Sequence, residues 1–230
     1  MDDSNGAPDT SSQFEDARRE MVARQIAERG IRDERVLEAM RSIPRHLFVP
    51  GEYVNASYRD EPLPIGERQS ISQPFMVAAM AEALLLKGSE RVLEIGGGSG
   101  YQAAVLSLLV NEVIAIEAHP ALAASAGERL ARLGYTNAHV EQADGSMGWA
   151  QNAPYDAILV TAAAPAVPPP LVGQLAEGGR LVLPVGGGEN QELIRITKSD
   201  GRTSQESLYA CRFVPLVGRY GWQDRQTQRG

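Results

Sequence analysis

The sequence predicts an α/β fold with a doubly wound, mostly parallel sheet. Three observations lead to this fold class. Short strand patterns alternate with helical patterns between residues 91 and 185. These strands are apolar throughout, as expected when a parallel sheet is covered on both faces. A glycine-rich turn follows the first of them, where open α/β sheets bind their ligands. The 230 residues are enough for one such domain.

Two helices and a long irregular segment precede the sheet. An apolar stripe predicts a helix over residues 14–29, and Asp33 is placed to cap a second, short helix. Five prolines mark residues 44–74 as turn-rich, and irregular segments of this length are usually functional. We therefore expect residues 14–90 to form N-terminal helices and a substrate loop, added to the sheet domain. The acidic, polar residues 1–13 predict a disordered tail.

The rest of the chain holds the core and a C-terminal strand pair. The core, residues 91–186, predicts strands at 91–95, 112–117, 137–141, 155–161 and 178–185, and helices at 101–109, 120–133 and 169–176. In residues 187–218, an antiparallel pair at 192–198 and 207–217 is joined by a turn. The prediction is a single domain over 14–218, followed by a tail at 219–230.

Composition narrows the function classes. A net charge of -7 argues against a nucleic-acid-binding protein. The single cysteine, Cys211, excludes an internal disulfide and suits a reducing compartment. There is no apolar run long enough for a membrane helix and no signal peptide pattern. The three histidines lack metal-ligand spacing. We expect a cytoplasmic monomer without metal, membrane or nucleic-acid partner.

The run 96–100 predicts a ligand-binding turn, because glycine allows positive φ and close approach to the backbone. Its glycines fit two cofactor patterns. An acidic residue followed by Gly-x-Gly-x-Gly resembles S-adenosylmethionine-dependent methyltransferases, whereas Gly98-x-Gly100-x-x-Ala103 fits the looser dinucleotide pattern. A strand-end carboxylate can accept from ribose hydroxyls in either case. The candidate cofactor residues here are Glu94, Gly96, Gly98, Ser99, Gly100 and Glu117.

Two further strand ends bear on the ligand and the acceptor. Asp144 and Gly145 follow the third core strand, where a carboxylate can accept from an adenine amine, although Asp-Gly is also a common turn pair. After the fourth strand, Thr161-Ala-Ala-Ala-Pro165 stands where amino-group methyltransferases often carry Asn/Asp-Pro-Pro-aromatic. This disfavours a nitrogen acceptor and leaves an oxygen that is already nucleophilic.

The segment "SISQP", residues 70–74, begins the helix before the first core strand. Ser72 is interpreted as the N-cap of a helix starting near Gln73 and as a donor to a substrate carboxylate. Both roles are compatible because a helix N-terminus attracts anions. Ser70 has a supporting role and also fits a capping box with Gln73.

Several motifs occur in order and together resemble one family. They are "PRHLFVP" (44–50), "LPIG" (63–66), "SISQP" (70–74), "VLEIGGGSGYQAA" (92–104), "YDAILVTAAAP" (155–165), "GGRLVLPVG" (178–186) and "RFVPLVG" (212–218). The chain resembles the protein-L-isoaspartate O-methyltransferase family over roughly residues 15–218. "ISQP" and "RFVPL" are the specific pieces. Two positions depart from it: Gly97 stands where the family usually has threonine or another hydroxyl residue, and Ser70 replaces the commoner threonine.

The resemblance implies a Rossmann-like class I methyltransferase that uses S-adenosylmethionine. It implies methyl transfer to the free α-carboxylate of L-isoaspartyl residues in damaged peptides and proteins, which initiates repair. The implied catalytic residue is Ser72. The implied cofactor residues add Ser70, Asp144 and Gly145, and the implied substrate residues are Ile65, Ser72, Phe213, Val214 and Pro215.

Two other function classes stay open at this point. The dinucleotide pattern keeps an NAD-dependent oxidoreductase possible, although the sequence lacks an obvious Tyr-x-x-x-Lys. A non-catalytic peptide- or RNA-binding module on the same fold is the other, because fold alone never settles function.

Overall fold

A computed structural model describes residues 10–188 and 190–223. Its N-terminal part begins with α1, Thr10–Glu20, which continues into a π-helical stretch, Met21–Ala27. Residues 10–13 thus belong to a helix rather than to the predicted tail, because polar side chains suit an exposed helical turn as well as a disordered one. Residues 1–9 of that tail lie outside the described residues.

The second helix and the following segment are more regular than the sequence suggests. Helix α2, Glu34–Ser42, is capped as predicted, with the Asp33 carboxylate accepting from the Arg35 amide at 2.9 Å. The predicted irregular segment contains two 3-10 turns, Arg45–Phe48 and Gly51–Ala56. It also contains an antiparallel hairpin of β1, Leu63–Gly66, and β2, Gln69–Ile71.

The central sheet has seven strands in the order β5-β4-β3-β6-β7-β8-β9. The five strands β3 to β7 pair in parallel, and the last two pairings are antiparallel, which confirms the predicted fold class. The strands are β3 Arg91–Ile95, β4 Glu112–Glu117, β5 Ala138–Gln142, β6 Tyr155–Val160, β7 Leu175–Gly187, β8 Asn190–Ser199 and β9 Arg202–Cys211.

Four helices flank this sheet: α3 Pro74–Ala83, α4 Tyr101–Ser107, α5 Pro120–Arg132 and α6 Pro169–Gly173. The last is shorter than predicted, because β7 begins at Leu175, where the sequence suggests helix. Gly178, at φ +76, interrupts the regular register there. No helix among the described residues is long and apolar enough to cross a membrane.

Two hydrophobic clusters explain why the core strands are apolar on both sides. Val92 belongs to one cluster and its neighbour Leu93 to the other. Ala115 and Ile116 of β4 divide in the same way. Since successive side chains of a strand point to opposite faces, both faces of the sheet are buried.

The C-terminal end departs from the prediction. Strand β9 stops at Cys211 and does not run to residue 217. Instead, the chain turns beneath Ala163, whose amide donates to the Val214 carbonyl and whose carbonyl accepts from the Leu216 amide, both at 2.8 Å. The indole of Trp222 also donates to the Ala163 carbonyl, at 3.0 Å. Residues 219–223 therefore pack on the domain rather than forming a tail, and 224–230 lie outside the described residues.

Candidate active site

A cleft lies at the carboxyl ends of β3 and β4. Small-molecule sites of open α/β sheets lie at this edge of the sheet. The cleft brings together most of the residues that the sequence suggests. Those lining it are Ser70, Ser72, Glu94, Gly96, Gly98, Ser99, Glu117, Gly145, Val214 and Pro215.

The glycine turn is held from the neighbouring strand β6. Gly96 has φ +95, and a Cβ at this position would lie 2.4 Å from the Thr161 hydroxyl oxygen. That hydroxyl lies 2.8 Å from the Gly96 carbonyl and 3.0 Å from the Ile95 carbonyl, so it can donate to either. In the sequence, Thr161 is noticeable only because it stands where amino-group methyltransferases carry Asn or Asp. Its contact with the turn depends on parallel pairing of β3 with β6.

Glu117 is fixed by backbone amides. The Gly98 amide donates to one carboxylate oxygen at 2.8 Å, and the His119 amide donates to the other at 2.9 Å. The side chain is buried and lines the cleft. Each carboxylate oxygen can accept more than one hydrogen bond, so capacity remains for ligand hydroxyls.

Two buried side chains beside the turn have unsatisfied polar atoms. Within the described part of the chain, neither carboxylate oxygen of Glu94 nor either amide atom of Gln102 has a hydrogen-bond partner. Both side chains line the cleft. Burial raises the pKa of Glu94 well above its usual range, and the charge of Glu117 raises that pKa further. Buried polar groups are normally satisfied, so these atoms fit a ligand that carries both donors and acceptors.

Gln102 is absent from the sequence-based site. The only signal for it is its position in the first turn of α4, directly after the glycine turn. An amide there reads equally well as part of an ordinary amphipathic helix. Its burial and lack of partners emerge only from the packed structure.

Asp144 lies next to the cleft without lining it. One of its carboxylate oxygens accepts from the Ser146 amide at 2.9 Å and hydroxyl at 2.7 Å, and the other accepts from the Arg219 amide at 2.8 Å. The adjacent Gly145 does line the cleft, and a Cβ there would lie 2.5 Å from Ile95 Cγ2. The carboxylate is therefore engaged by its own turn and by a segment that the sequence analysis assigned to a tail.

Two more predicted residues shape the turn from behind. Gly100 has φ +83 and stands at the N-cap of α4, with Ala126 and Leu130 of α5 in contact range. The Ile65 side chain reaches over the turn, its Cδ1 lying 3.3 Å from where a Gly98 Cβ would be. Both residues support the cleft without lining it.

A second cavity, the acceptor groove, adjoins the cleft. Phe213 lines the groove but not the cleft, together with apolar residues such as Pro62 and Met76. Four residues line both cavities, and so form the boundary between them: Ser70, Ser72, Thr161 and Val214.

Ser72 does not cap the following helix, so the predicted N-cap is wrong. Helix α3 begins at Pro74, because the fixed φ of proline suits the first helical position. Gln73 is thus the N-cap residue, no side-chain capping bond forms, and the capping box with Ser70 is also absent. Among the described residues the Ser72 hydroxyl makes no hydrogen bond, and it keeps its full capacity at the boundary of the two cavities.

Phe213 is anchored by Gln191, which the sequence analysis missed. The Gln191 side-chain oxygen accepts from the Phe213 amide at 2.6 Å, and its nitrogen donates to the Phe213 carbonyl at 3.1 Å. The side chain replaces a partner strand where β9 has ended. The backbone of Phe213 is therefore already paired within the domain.

Comparison with known proteins agrees with this arrangement. The family model of protein-L-isoaspartate(D-aspartate) O-methyltransferase matches residues 16–221. A protein-L-isoaspartate O-methyltransferase of Geobacter metallireducens is 53% identical over 210 residues, covering 91% of this chain and 97% of that protein. One from Methanoculleus marisnigri is 54% identical over 206 residues, covering 90% of this chain and 94% of that protein.

Two solved structures extend the comparison. A protein-L-isoaspartate O-methyltransferase with 31% identity has a TM-score of 0.80 and covers 88% of this chain and 67% of its own. A Plasmodium falciparum chain assigned to the same enzyme, in complex with S-adenosyl-L-homocysteine, has 26% identity, a TM-score of 0.76 and coverage of 87% and 98%. The chain described here belongs to the protein-L-isoaspartate O-methyltransferase family.

Proposed function

We propose that this chain performs its family's reaction at the boundary between the cleft and the acceptor groove. In that reaction, a methyl group passes from S-adenosylmethionine to the free α-carboxylate of an L-isoaspartyl residue in a damaged peptide. One observation carries the proposal: Ser72, with an unengaged hydroxyl, lines both cavities. A donor held in the cleft and an acceptor held in the groove would meet at this residue.

The cleft has groups suited to each part of the cofactor. S-adenosylmethionine supplies a methyl group that its sulfonium charge has already activated. Glu94 and Gln102 would hold the amino-acid end, because their unsatisfied oxygens and amide complement an ammonium and a carboxylate. Glu117 would accept from the ribose hydroxyls. The backbone of Gly96 to Ser99 leaves space for the ligand between these side chains.

The acceptor needs positioning more than it needs a base. A carboxylate with a reference pKa of about 4 is already ionised at neutral pH. The Ser72 hydroxyl can donate to one carboxylate oxygen and leave the other directed at the cleft. A neutral hydroxyl also preserves nucleophilicity that a lysine would reduce. Among the described residues that line the two cavities, Arg212 is the one lysine or arginine, and it lines the groove but not the boundary.

The cleft side of the boundary is partly apolar, since Ile71, Val77 and Leu216 are buried side chains in the wall of the cleft. This wall would exclude water from the methyl group, so an acceptor oxygen that reaches it across the boundary would lose hydration and interact more strongly with fixed donors. This dehydration would add to the orientation that Ser72 supplies.

The direct test uses radiolabelled S-adenosylmethionine and two peptides that differ only in an isoaspartyl or an aspartyl linkage. We expect labelling of the isoaspartyl peptide alone. Equal labelling of both peptides, or of neither, would contradict the proposed reaction. Calorimetry with S-adenosylhomocysteine and with NAD tests the oxidoreductase alternative, for which NAD should be the tighter ligand.

We also propose that the protein acts as a cytoplasmic monomer without a nucleic-acid partner. The net charge of -7 and the single cysteine support this. Light scattering should give a mass close to 24.8 kDa, and a value near twice that would contradict the monomer.

A further inference from the structure

A fully buried cation lies behind Ser72. Arg45, in the first 3-10 turn, has no exposed surface. Its Nη2 donates to the Ser72 carbonyl at 2.7 Å, and its Nε donates to the Ser57 carbonyl at 2.8 Å. The guanidinium carbon lies 4.8 Å from the ring centroid of Tyr101, the first residue of α4. One side chain thus joins the 3-10 turns, Ser72 and the helix that follows the glycine turn.

If Arg45 only stabilised the fold, burying its charge here would be unfavourable in free energy. Burial lowers the pKa of Arg45, and buried charges are normally paired with an opposite charge. Its two short hydrogen bonds go to backbone carbonyls, the Tyr101 side chain also interacts with it, and its Nη1 has no hydrogen-bond partner within the described residues. Asp60 is the carboxylate that acts on it electrostatically, but that side chain is already bound to the Phe75 amide and to Arg29.

A guanidinium is nevertheless well suited to holding backbone. Its planar fork can reach two carbonyls at once, and hydrogen bonds from a charged donor are roughly twice as strong as neutral ones. Ser72 lies outside helix α3 and outside strand β2, so regular secondary structure does not fix its backbone. The hydrogen bond from Arg45 to the Ser72 carbonyl restrains the backbone there instead.

We infer that Arg45 is a positioning residue for the acceptor, clamping the backbone of Ser72 so that the hydroxyl faces the boundary of the two cavities. This inference rests on the proposed function of Ser72. Arg45 lines neither cavity. It therefore acts through Ser72 and touches neither donor nor acceptor.

Arg180 offers a matched control at the other end of α3. Its Nε donates to the Leu84 carbonyl at 2.7 Å, and its Nη2 donates to the Leu85 carbonyl at 2.9 Å. It also pairs with Glu90 at 3.5 Å. Arg180 also donates to the Gly178 carbonyl at 3.2 Å. Both arginines thus bridge backbone carbonyls, but of the two only Arg45 does so at a residue of the proposed site.

The first test compares Arg45→Lys with Arg180→Lys. A lysine keeps the charge but is a point donor without the planar fork, so the clamp on Ser72 should loosen. Because Ser72 is proposed to orient the acceptor for transfer, we expect kcat for an isoaspartyl peptide to fall about tenfold in Arg45→Lys, the worth of one charged hydrogen bond, with little change in KM. The affinity for S-adenosylhomocysteine, measured by calorimetry, should stay within about twofold. Arg180→Lys should lower only the melting temperature.

Matching kinetic effects in the two variants, or a parallel loss of cofactor affinity in Arg45→Lys, would make Arg45 an ordinary structural residue. A double-mutant cycle with Ser72→Ala separates the two proposals. If Ser72→Ala alone is fully active, the proposed function fails. If Ser72→Ala is impaired and Arg45→Lys has its full effect in both backgrounds, only the inference on Arg45 fails. We expect most of its effect to disappear in the Ser72→Ala background.

A measurement on the natural protein guards against a variant that does not fold. With S-adenosylhomocysteine present, the Arg45 Nε–H resonance in NMR spectra should shift when an isoaspartyl peptide is added. It should not shift with the matched aspartyl peptide. No change with either peptide would overturn the clamp.

Discussion

The cleft and the acceptor groove are built in different ways. The polar groups of the cleft that would hold the cofactor lie on regular elements, at the end of β3, in the first turn of α4 and at the end of β4. The Gly98 amide, for example, donates to Glu117 at the end of the adjacent parallel strand, at 2.8 Å. The groove instead depends on irregular backbone that is held by side chains. The Arg45 side chain binds the Ser72 carbonyl, and the Gln191 side chain binds the Phe213 backbone.

The atoms of the two cavities are therefore positioned in different ways. In the cleft, parallel strands bring their carboxyl ends to one edge, so a local motif already places its atoms. In the groove, irregular backbone is held by single side chains of arginine and glutamine. Substitutions in the cleft should therefore change cofactor affinity, and those in the groove should change the handling of the peptide.

The largest expected effect is on the groove side. Ser72→Ala removes the hydroxyl that we propose to orient the acceptor, and misorientation of a reacting group can reduce the rate about 100-fold. We expect kcat for an isoaspartyl peptide to fall by about this factor, measured with radiolabelled S-adenosylmethionine. Cofactor affinity and melting temperature should change little, because the hydrogen bond that Ser72 makes within the described residues uses its carbonyl and not its hydroxyl.

Ser107→Ala is a suitable control for the loss of a buried hydroxyl, since Ser107 donates to the Ala104 carbonyl at 2.7 Å and does not line the cleft. It should keep full activity. If Ser72→Ala kept full activity, the Ser72 hydroxyl would not orient the acceptor, and the comparison of groove and cleft could not rest on this residue.

The next effect tests the cleft. In Gly96→Ala, a Cβ would lie 2.4 Å from the Thr161 hydroxyl, at a φ of +95. Backbone strain of this kind costs about 1–3 kcal/mol. We expect a lower melting temperature and weaker binding of S-adenosylhomocysteine by calorimetry. In the control Gly97→Ala, the nearest atom would be Ala115 Cβ at 3.5 Å, and both quantities should stay near those of the natural protein. Similar losses in both variants would mean that the turn tolerates no side chain at all.

The smallest effect concerns the proton that Glu94 holds in the free protein and releases when the cofactor binds. Its raised pKa in the folded protein means that the carboxyl group holds a proton after the unfolded chain has lost it, near the usual value of 4.5. The folded state then binds more protons, so this residue makes the free protein less stable as the pH rises above that value. An ammonium group in the cleft favours the ionised carboxylate, and binding should release the proton.

We therefore expect the affinity for S-adenosylhomocysteine to increase with pH and its binding heat to depend on the ionisation enthalpy of the buffer. Glu94→Gln should abolish that buffer dependence and weaken binding about tenfold, through loss of a charged hydrogen bond. Buffer-independent heats in the natural protein would show that Glu94 is already ionised before the cofactor arrives.

The sequence alone was enough for the fold class and for the positions of the glycine turn and the acidic strand ends. These features depend on short periodic patterns and on glycine positions, which express themselves locally. Glu117 and Gly96 lie at the cleft for this reason. Gln102 cannot be picked out from the sequence, because its burial without a hydrogen-bond partner results from the packing of helix α4.

Only the tertiary structure decided which side chains lie where we propose that the acceptor binds. Ser72 is outside the helix that it was expected to cap, since the rigid φ of Pro74 sets the helix start one residue later than that cap requires. Asp144 is turned toward Arg219, in a segment without any sequence pattern. The contacts of Arg45 and Gln191 join residues through folded irregular backbone, and no periodicity in the chain encodes such meetings.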